Sequence, residues 1–393
     1  MKILWVKSDF LHPTTKGGHI RTLEMLKRLR RRHEIHYVAF DLEEQAGAVE
    51  RSGDYSAKAY PIPHKVPRRF TPGFWAQAAA GIFASLPLAV SRYRSTSMRR
   101  EITRLAGSEK FDTVVCDFLF PAINFSDLSH VVLFQHNVES AIWKRHAEHG
   151  PTAAHRAYFR AQYQRMRRYE TDICRAAKKV IAVSQDDAEV MGREYGVREI
   201  SWVPTGVDIE FFSPPGHIQH DLDLVFVGSM DWMPNDDGVV WFLANVLPLI
   251  RTKRPDCSLA IVGRRPSASL RKLAKDDPRI VVTGTVTDVR PYLWRSKVSI
   301  VPLRIGGGTR LKIYEAMGAQ VPVVSTTIGA EGLDVRDGEN IALADSPREF
   351  ADRCLALLDD ADARRRLSSA AWEMVSSCYS WDVVSRKFEQ LLA

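Results

Sequence analysis

Short aliphatic runs recur along the chain, each free of charge and each closed by a polar or glycine-bearing turn. The first, at 3–6, is followed by Gly17-Gly18 and then by Leu23, Leu26 and Leu29, the spacing of one helix face. Further runs stand at 35–40, 113–116, 131–134 and 180–183. None alternates strictly between polar and apolar residues, so each predicts a strand buried on both faces, as in a parallel sheet covered by helices. After Pro204-Thr205-Gly206 the pattern starts again, with runs at 224–228, 258–263, 280–284, 298–303 and 321–326 separated by helical stretches. The reading is α/β, with two successive doubly wound parallel-sheet domains over 1–205 and 206–375, joined by a Pro/Gly turn rather than a flexible tether. Folds of this kind place ligands at the carboxyl ends of the strands, here expected to face the other domain. Residues 156–175 read as one long solvated helix with Tyr158, Tyr163, Met166 and Tyr169 near its buried stripe.

Composition narrows the class. The 393 residues suit two domains, and 45% apolar with 26% charged residues excludes a disordered or fibrous chain. Five scattered cysteines without a CxxC pair argue against a disulfide framework or a zinc ribbon and for a reducing compartment. No secretory signal is visible at MKILWVKSDF, which predicts a cytoplasmic protein. The uncharged stretch 70–91 is broken by Pro72, Gly73 and Pro87, too interrupted for a membrane span. Two readings of it stay open: a loop and helix within the first domain, or a helix lying in a membrane surface. Residues 1–200 hold 32 basic and 22 acidic side chains, against 23 and 25 in the remainder, so all the excess positive charge is in the first half. Such runs attract nucleic acid, anionic lipid or a phosphorylated ligand. No zinc-finger spacing or RNA-recognition signature accompanies them, which turns the reading away from nucleic acid.

The loops identify the chemistry. No G-x-G-x-x-G follows the first strand and no G-x-x-x-x-G-K-[ST] occurs, which counts against dinucleotide dehydrogenases and P-loop NTPases. After the run at 298–303 comes Arg304-Ile305-Gly306-Gly307-Gly308-Thr309-Arg310-Leu311-Lys312, then Glu315. Three glycines let bare amides approach a ligand at the start of a helix, whose positive end favours an anion. Arg310 and Lys312 add full charges, and the set suits a diphosphate. Glu315, three residues on, shares a helix face with Lys312 and can accept two hydroxyl hydrogen bonds, as from a ribose; the plain alternative is an intrahelical ion pair. His136 stands at the carboxyl end of the predicted strand 131–134, where an imidazole can orient a hydroxyl. Asp221-Leu222-Asp223 precedes a strand and reads as an ordinary turn rather than a metal site.

Several stretches together resemble the retaining GT-B glycosyltransferases of family 4: VFVGSMDWMPNDDGVVWF, LAIVGRRPS, VTGTVTDVRPYL, PLRIGGGTRLKIYEAMGAQVPVVSTTIGAEGL and DGENIALADSPREF in the second half, and KGGHIRTLEMLKRL, FQHNVES, VIAVSQDD and PTGVD in the first. The resemblance implies two Rossmann-like domains facing across a cleft, with the nucleotide-sugar donor held mainly by the second. It also implies that YSWDVVSRKFEQLL, within 376–393, is a last helix crossing back to the first domain. By the same resemblance Arg310 and Lys312 hold the donor diphosphate and carry catalysis with His136, which sits by the transferred sugar. Glu315 would hold the ribose, Arg304 would be a further phosphate ligand, and Gly306, Gly307, Gly308 and Thr309 the phosphate loop. Thr287 and Asp288 would lie against the base, and Gly17 and Gly18 would approach the donor from the first domain. Asn137 and Glu139 are candidate acceptor contacts. The chain departs from the family where an earlier glutamate would fall at Gly307 and where the usual Arg and Lys are replaced by Ser229-Met230-Asp231-Trp232. The implied activity is metal-independent transfer of a hexose-type unit, with no cofactor, to a sugar, glycan or lipid-linked acceptor, as in glycolipid or exopolysaccharide synthesis. An anionic inner-membrane surface is a further expected partner. A nucleotide-sugar epimerase and a non-catalytic adaptor binding sugar nucleotide or lipid are the alternatives.

Overall fold

The computed structural model describes residues 1–14, 17–43, 45, 47–65, 86–149, 152–216, 218–305 and 311–392. Two compact units emerge, one comprising Met1–Pro204 together with the chain from Val384 on, the other Thr205–Val383. The first holds β1 (Lys2–Val6), β2 (Glu34–Asp41), β3 (Lys58–Pro63), β4 (Thr113–Asp117), β5 (Val131–Phe134), β6 (Lys179–Ala182) and β7 (Ile200–Trp202), in the order β3-β2-β1-β4-β5-β6-β7. The second holds β8 (Leu222–Val227), β9 (Leu259–Val262), β10 (Ile280–Val282), β11 (Ser296–Val301), β12 (Val323–Ser325) and β13 (Ala342–Leu343), in the order β10-β9-β8-β11-β12-β13. Every pairing is parallel. Each expected aliphatic run became a strand. The strands that the pattern did not announce, β3, β7 and β13, are all at or next to a sheet edge. β3 carries Pro61 and Pro63, which an edge tolerates because one side of the strand has no ladder to lose.

In the first unit α1 (Gly17–Leu29) follows β1, and α2 (Glu139–His149) and α3 (Ala153–Ala176) follow β5. The buried side of α3 is Gln162, Met166, Tyr169, Glu170 and Cys174. Tyr158, expected near that stripe, is instead 42% exposed at the solvated end of the helix. Leu88–Ser91 forms one helical turn with Val90 buried, while 66–85, most of the uncharged stretch, lies outside the described residues. Among the described residues no helix is long and apolar enough to cross a membrane. All five cysteines are free thiols, four of them buried.

In the second unit α4 (Met233–Trp241) follows β8, α5 (Arg290–Arg295) precedes β11, and α6 (Leu311–Gly318) follows it. Val207 exchanges backbone hydrogen bonds with Tyr379 (2.8 Å) and Trp381 (3.2 Å), so the outgoing and returning chain run side by side. Gly206 is required there, since a Cβ would come within 2.6 Å of the Trp381 ring. The last helix, α7, is Trp381–Leu392, and the chain rejoins the first unit at Val384 rather than at 376. Phe388 packs on Trp5 and Phe134 at ring separations of 5.7 and 4.9 Å, Lys387 covers Trp202, and Glu389 accepts from Arg32 and His33.

Register gathers the polar groups. Val6 is opposite Cys116 and Asp117 opposite Phe134, so Lys7, Asp117 and His136 collect at the carboxyl ends of β1, β4 and β5. In the second unit Val227 is opposite Val262, which brings Gly228 and Gly263 together; a Cβ on Gly263 would overlap the Gly228 carbonyl.

Candidate functional site

Lys312 lies in the first turn of α6, yet its ammonium does not turn to Glu315. It donates to Asn235 Oδ1 at the start of α4, 4.5 Å from the centre of the Phe226 ring and 5.9 Å from that of Trp232. A cation over an aromatic face is held by the ring quadrupole. Asn235 is itself fixed, donating from Nδ2 to the Ser229 carbonyl at 2.7 Å. Gly228 makes the space: a Cβ there would be 2.8 Å from Lys312 Nζ and 2.9 Å from Asn235 Nδ2. The ammonium is thereby set at the carboxyl end of β8, the position that open α/β sheets use for ligands. Glu315 takes no hydrogen bond or ion pair from any described residue. Burial pushes its carboxyl up to about 7, with Lys312 opposing the shift.

The other expected donor residues divide. Gly306, Gly307, Gly308, Thr309 and Arg310 lie outside the described residues. Arg304 forks onto Asp237 of α4, Nη2 to Oδ1 at 2.7 Å and Nε to Oδ2 at 3.1 Å, so a carboxylate already occupies the guanidinium expected to bind phosphate. Asp288 accepts the Arg290 backbone N–H at 2.9 Å and grips the Arg290 side chain, which caps the start of α5. Thr287 is exposed beside it. Asp221 pairs with Arg295, and Asp223 with Lys297 and the Ser258 backbone N–H, so the Asp-Leu-Asp carboxylates serve the sheet.

In the first unit Gly18 of α1 backs onto His136, a Cβ there falling 3.2 Å from Nδ1. His136 Nε2 approaches Asp117 Oδ1 at 2.7 Å, and Lys7 Nζ reaches the same oxygen at 2.8 Å. Asp117 Oδ2 accepts from Trp5 Nε1 at 2.9 Å and Thr22 Oγ1 at 2.8 Å. Burial alone would raise the Asp117 carboxyl, but Lys7 and then His136 hold it well below the usual carboxylate range. Burial pushes His136 down to about 4, with Lys7 and Arg21 adding to the effect and Asp117 opposing it. The imidazole is therefore neutral near pH 7. His19, one residue beyond Gly18, is held by Asp9 at 2.9 Å.

Asn137 and Glu139 follow in the turn that opens α2. Glu170 of α3 fastens this turn from below, accepting from the N–H groups of Glu139 (2.8 Å) and Ser140 (2.9 Å), from Gln135 Nε2 (2.9 Å) and from Tyr195 (2.8 Å). The Asn137 side-chain oxygen is buried without a partner, while Glu139 accepts from Trp143 Nε1 at 3.1 Å. Burial, reinforced by Glu170, pushes Glu139 up to about 7, against the Trp143 N–H.

Sequence reasoning missed Lys7, Asp117, Glu170, Asn235 and the pair Arg264 and Arg265. The last two follow β9 and face Asp231 at 3.3 and 3.5 Å, and Arg264 Nε donates to Ser229 Oγ at 2.7 Å. They bring guanidinium charge to the loop after β8 that lacks its own. The available signal was position: all but Glu170 lie at or just past the carboxyl end of a strand, or in the turn opening the next helix.

Residues 15–211 match the family Glycosyltransferase Family 4, and residues 221–360 match Glycosyl transferases group 1. The chain is 23% identical over 392 residues to an uncharacterized 44.6 kDa protein in the cps region of Klebsiella pneumoniae, covering 96% of each chain. It is 26% identical over 250 residues to the D-inositol 3-phosphate glycosyltransferase of Nocardiopsis dassonvillei, 57% of each chain. Among solved structures it superposes on sucrose-phosphate synthase from Thermosynechococcus elongatus (TM-score 0.70, 16% identity, 100% of this chain and 98% of the other). It also superposes on Anabaena HepE in complex with UDP (TM-score 0.68, 15% identity, 100% and 99%).

Proposed function

The chain belongs to glycosyltransferase family 4, with the GT-B fold, and we propose that it moves a sugar from a nucleotide diphosphate-sugar to an acceptor hydroxyl with retention of anomeric configuration. The observation that carries this reading is the pairing in α6 of an ammonium seated over Gly228 with a carboxylate that no described residue occupies. A cation so held takes phosphate oxygens, and a carboxylate one turn on accepts the hydroxyls of a ribose. Arg310, Thr309 and the amides of Gly306, Gly307 and Gly308 complete the diphosphate site in this proposal, with Thr287 and Asp288 beside the base. We leave Arg304 out of this site, because its guanidinium is forked onto Asp237.

In the reaction the bond from the anomeric carbon to the diphosphate oxygen breaks and a bond to the acceptor oxygen forms on the same face. The acceptor proton passes to the departing diphosphate. Negative charge grows on that leaving group, and Lys312 and the helix amides stabilise it; preorganised charge of this sort is usually the largest catalytic term. His136, neutral and at the Gly17-Gly18 turn, orients a hydroxyl of the sugar or acceptor, with Asn137 and Glu139 on the acceptor side. The scheme calls for no resident cofactor and no metal ion. The acceptor class is a sugar, glycan or lipid-linked hydroxyl in polysaccharide or glycolipid assembly. The exposed Arg94, Arg99 and Arg100 suit an anionic inner-membrane face.

Because HepE is described with UDP and with UDP-glucose, uridine diphosphate-sugars are the first donors to test. A plate of nucleotide sugars is assayed for release of the nucleoside diphosphate, with and without simple acceptors, against the R310A/K312A double variant. Release from at least one donor by wild type and none by the variant is expected. Isomerised donor without release would convert the reading to an epimerase, and consumption or binding of none would overturn it.

A further inference from the structure

What holds His136 is written in the first unit alone, and its use in transfer rests on the function proposed above. We propose that Asp117 is a positioning residue for His136: it fixes the neutral ring with its proton on Nε2 and leaves the Nδ1 lone pair, beside the Gly18 turn, as the acceptor for a substrate hydroxyl.

Everything that meets the Asp117 carboxylate is a donor. Lys7 Nζ stands at 2.8 Å from Oδ1, Trp5 Nε1 at 2.9 Å and Thr22 Oγ1 at 2.8 Å from Oδ2. The remaining neighbour is His136 Nε2, 2.7 Å from Oδ1 on an oblique approach. An ionised carboxylate offers only lone pairs, so a bare Nε2 would set lone pair against lone pair. Nε2 therefore carries the hydrogen. Lys7 is 5% exposed and has Asp117 and Thr22 for partners; its charge keeps Asp117 ionised and the choice of tautomer fixed.

The other ring nitrogen is left for chemistry. Nδ1 faces the first turn of α1, 3.2 Å from where a Gly18 Cβ would stand, and takes no hydrogen bond from any described residue. The positive end of a helix beside it favours a lone pair over a proton. Backbone geometry points the same way. Phe118, directly after Asp117, has φ 80°, a left-handed conformation that costs a bulky residue about 1–3 kcal/mol and clusters at functional sites. Its N–H donates to the Phe134 carbonyl at 2.8 Å and its ring centre lies 5.5 Å from that of His136. The end of β4 is thus bent so that carboxylate and aromatic ring both flank the imidazole.

The test reads the tautomer directly. Full-length protein labelled with nitrogen-15 histidine is examined by long-range proton–nitrogen correlation at neutral pH, with His136 assigned by its loss in His136→Gln. A neutral ring with Nε2 protonated and Nδ1 bare is expected; an Nδ1-protonated ring or an imidazolium overturns the proposal whatever the assays give. In Asp117→Asn the amide offers one acceptor oxygen to donors that previously shared two, so the hold on the Nε2 proton is lost, Nδ1-protonated rings become populated, and kcat for transfer falls about 100-fold with donor KM little changed. A purely structural role would leave the tautomer in place, and full kcat with a flipped tautomer would sink the assignment. Should Asp117→Asn fail to fold, the wild-type spectrum decides alone. Should wild type use no nucleotide sugar, the transferase reading fails while the tautomer result stands.

Discussion

In the first unit the carboxylate nearest the candidate chemistry, Asp117, is met by four side chains; in the second, Glu315 is met by none of the described residues. Asp117 is fully buried and Glu315 partly so, and their acidities move in opposite directions. Asp117 is held ionised by Lys7 and His136, whereas Glu315, with only the field of Lys312 against its burial, is pushed up to about 7. A desolvated group with all its partners stays ionised at little cost, and one without them pays for its charge or takes up a proton. The two clusters thus differ: in the first unit a completed network holds His136, and in the second Glu315 takes no hydrogen bond from the described residues.

The largest expected contrast is in stability. Asp117→Ala leaves Lys7 buried without its counter-charge, and breaking one side of a buried pair costs about 3–5 kcal/mol. Chemical denaturation is expected to show a loss of this size, whereas Lys312→Ala shifts the midpoint little. Equal losses from the two would erase the distinction. Conversely, Lys312→Ala is expected to weaken nucleotide-sugar or nucleoside diphosphate binding by about 10- to 100-fold in calorimetry, the worth of one charge-assisted hydrogen bond. Unchanged affinity in a folded Lys312→Ala protein would remove the ammonium from the donor site.

The contrast also tracks what the sequence could reveal. The central strands were legible because burial on both faces makes them unbroken apolar runs, and β3 was not, since Lys58, Pro61 and Pro63 spoil the run at an edge. Lys312 and Glu315 were legible as a pair because one helix turn carries both. Their behaviour was not, for Lys312 turns to Asn235, which is distant in sequence and is set by the fold of β8 onto α4. The Lys7–Asp117–His136 group draws on three strands, so no local spacing marks it; only the order β1-β4-β5 with its register assembles it. Arg304 shows a pairing that the sequence does not announce. Adjacent to the glycine loop in sequence, it is drawn to Asp237 in space.

A smaller effect separates the two carboxyls by pH. A carboxyl whose folded value is raised binds protons more readily in the native state than in the unfolded chain. Its contribution is complete below about pH 4.5 and is lost as pH rises through about 7. For Glu315, allowing for its partial contact with solvent, the loss between pH 5 and 8 is about 1–2 kcal/mol. Ligand-free Glu315→Gln is therefore expected to lose less stability over that range than wild type, measured as denaturant midpoints at each pH. A parallel decline in both proteins would mean that the carboxylate is already satisfied without ligand.

The smallest effect expected is at Arg304, and it sharpens the comparison most finely. Its guanidinium is forked onto Asp237, so phosphate would have to displace a carboxylate that already matches its geometry. The pair is substantially exposed, and exposed pairs contribute at most about 1 kcal/mol to stability. Arg304→Ala should accordingly leave donor affinity and stability both close to wild type, where Lys312→Ala removes the former alone. A loss of donor affinity rivalling that of Lys312→Ala would show that the Asp237 pairing opens on binding. The donor site would then extend across α4, and the second unit would have a partly satisfied network of its own.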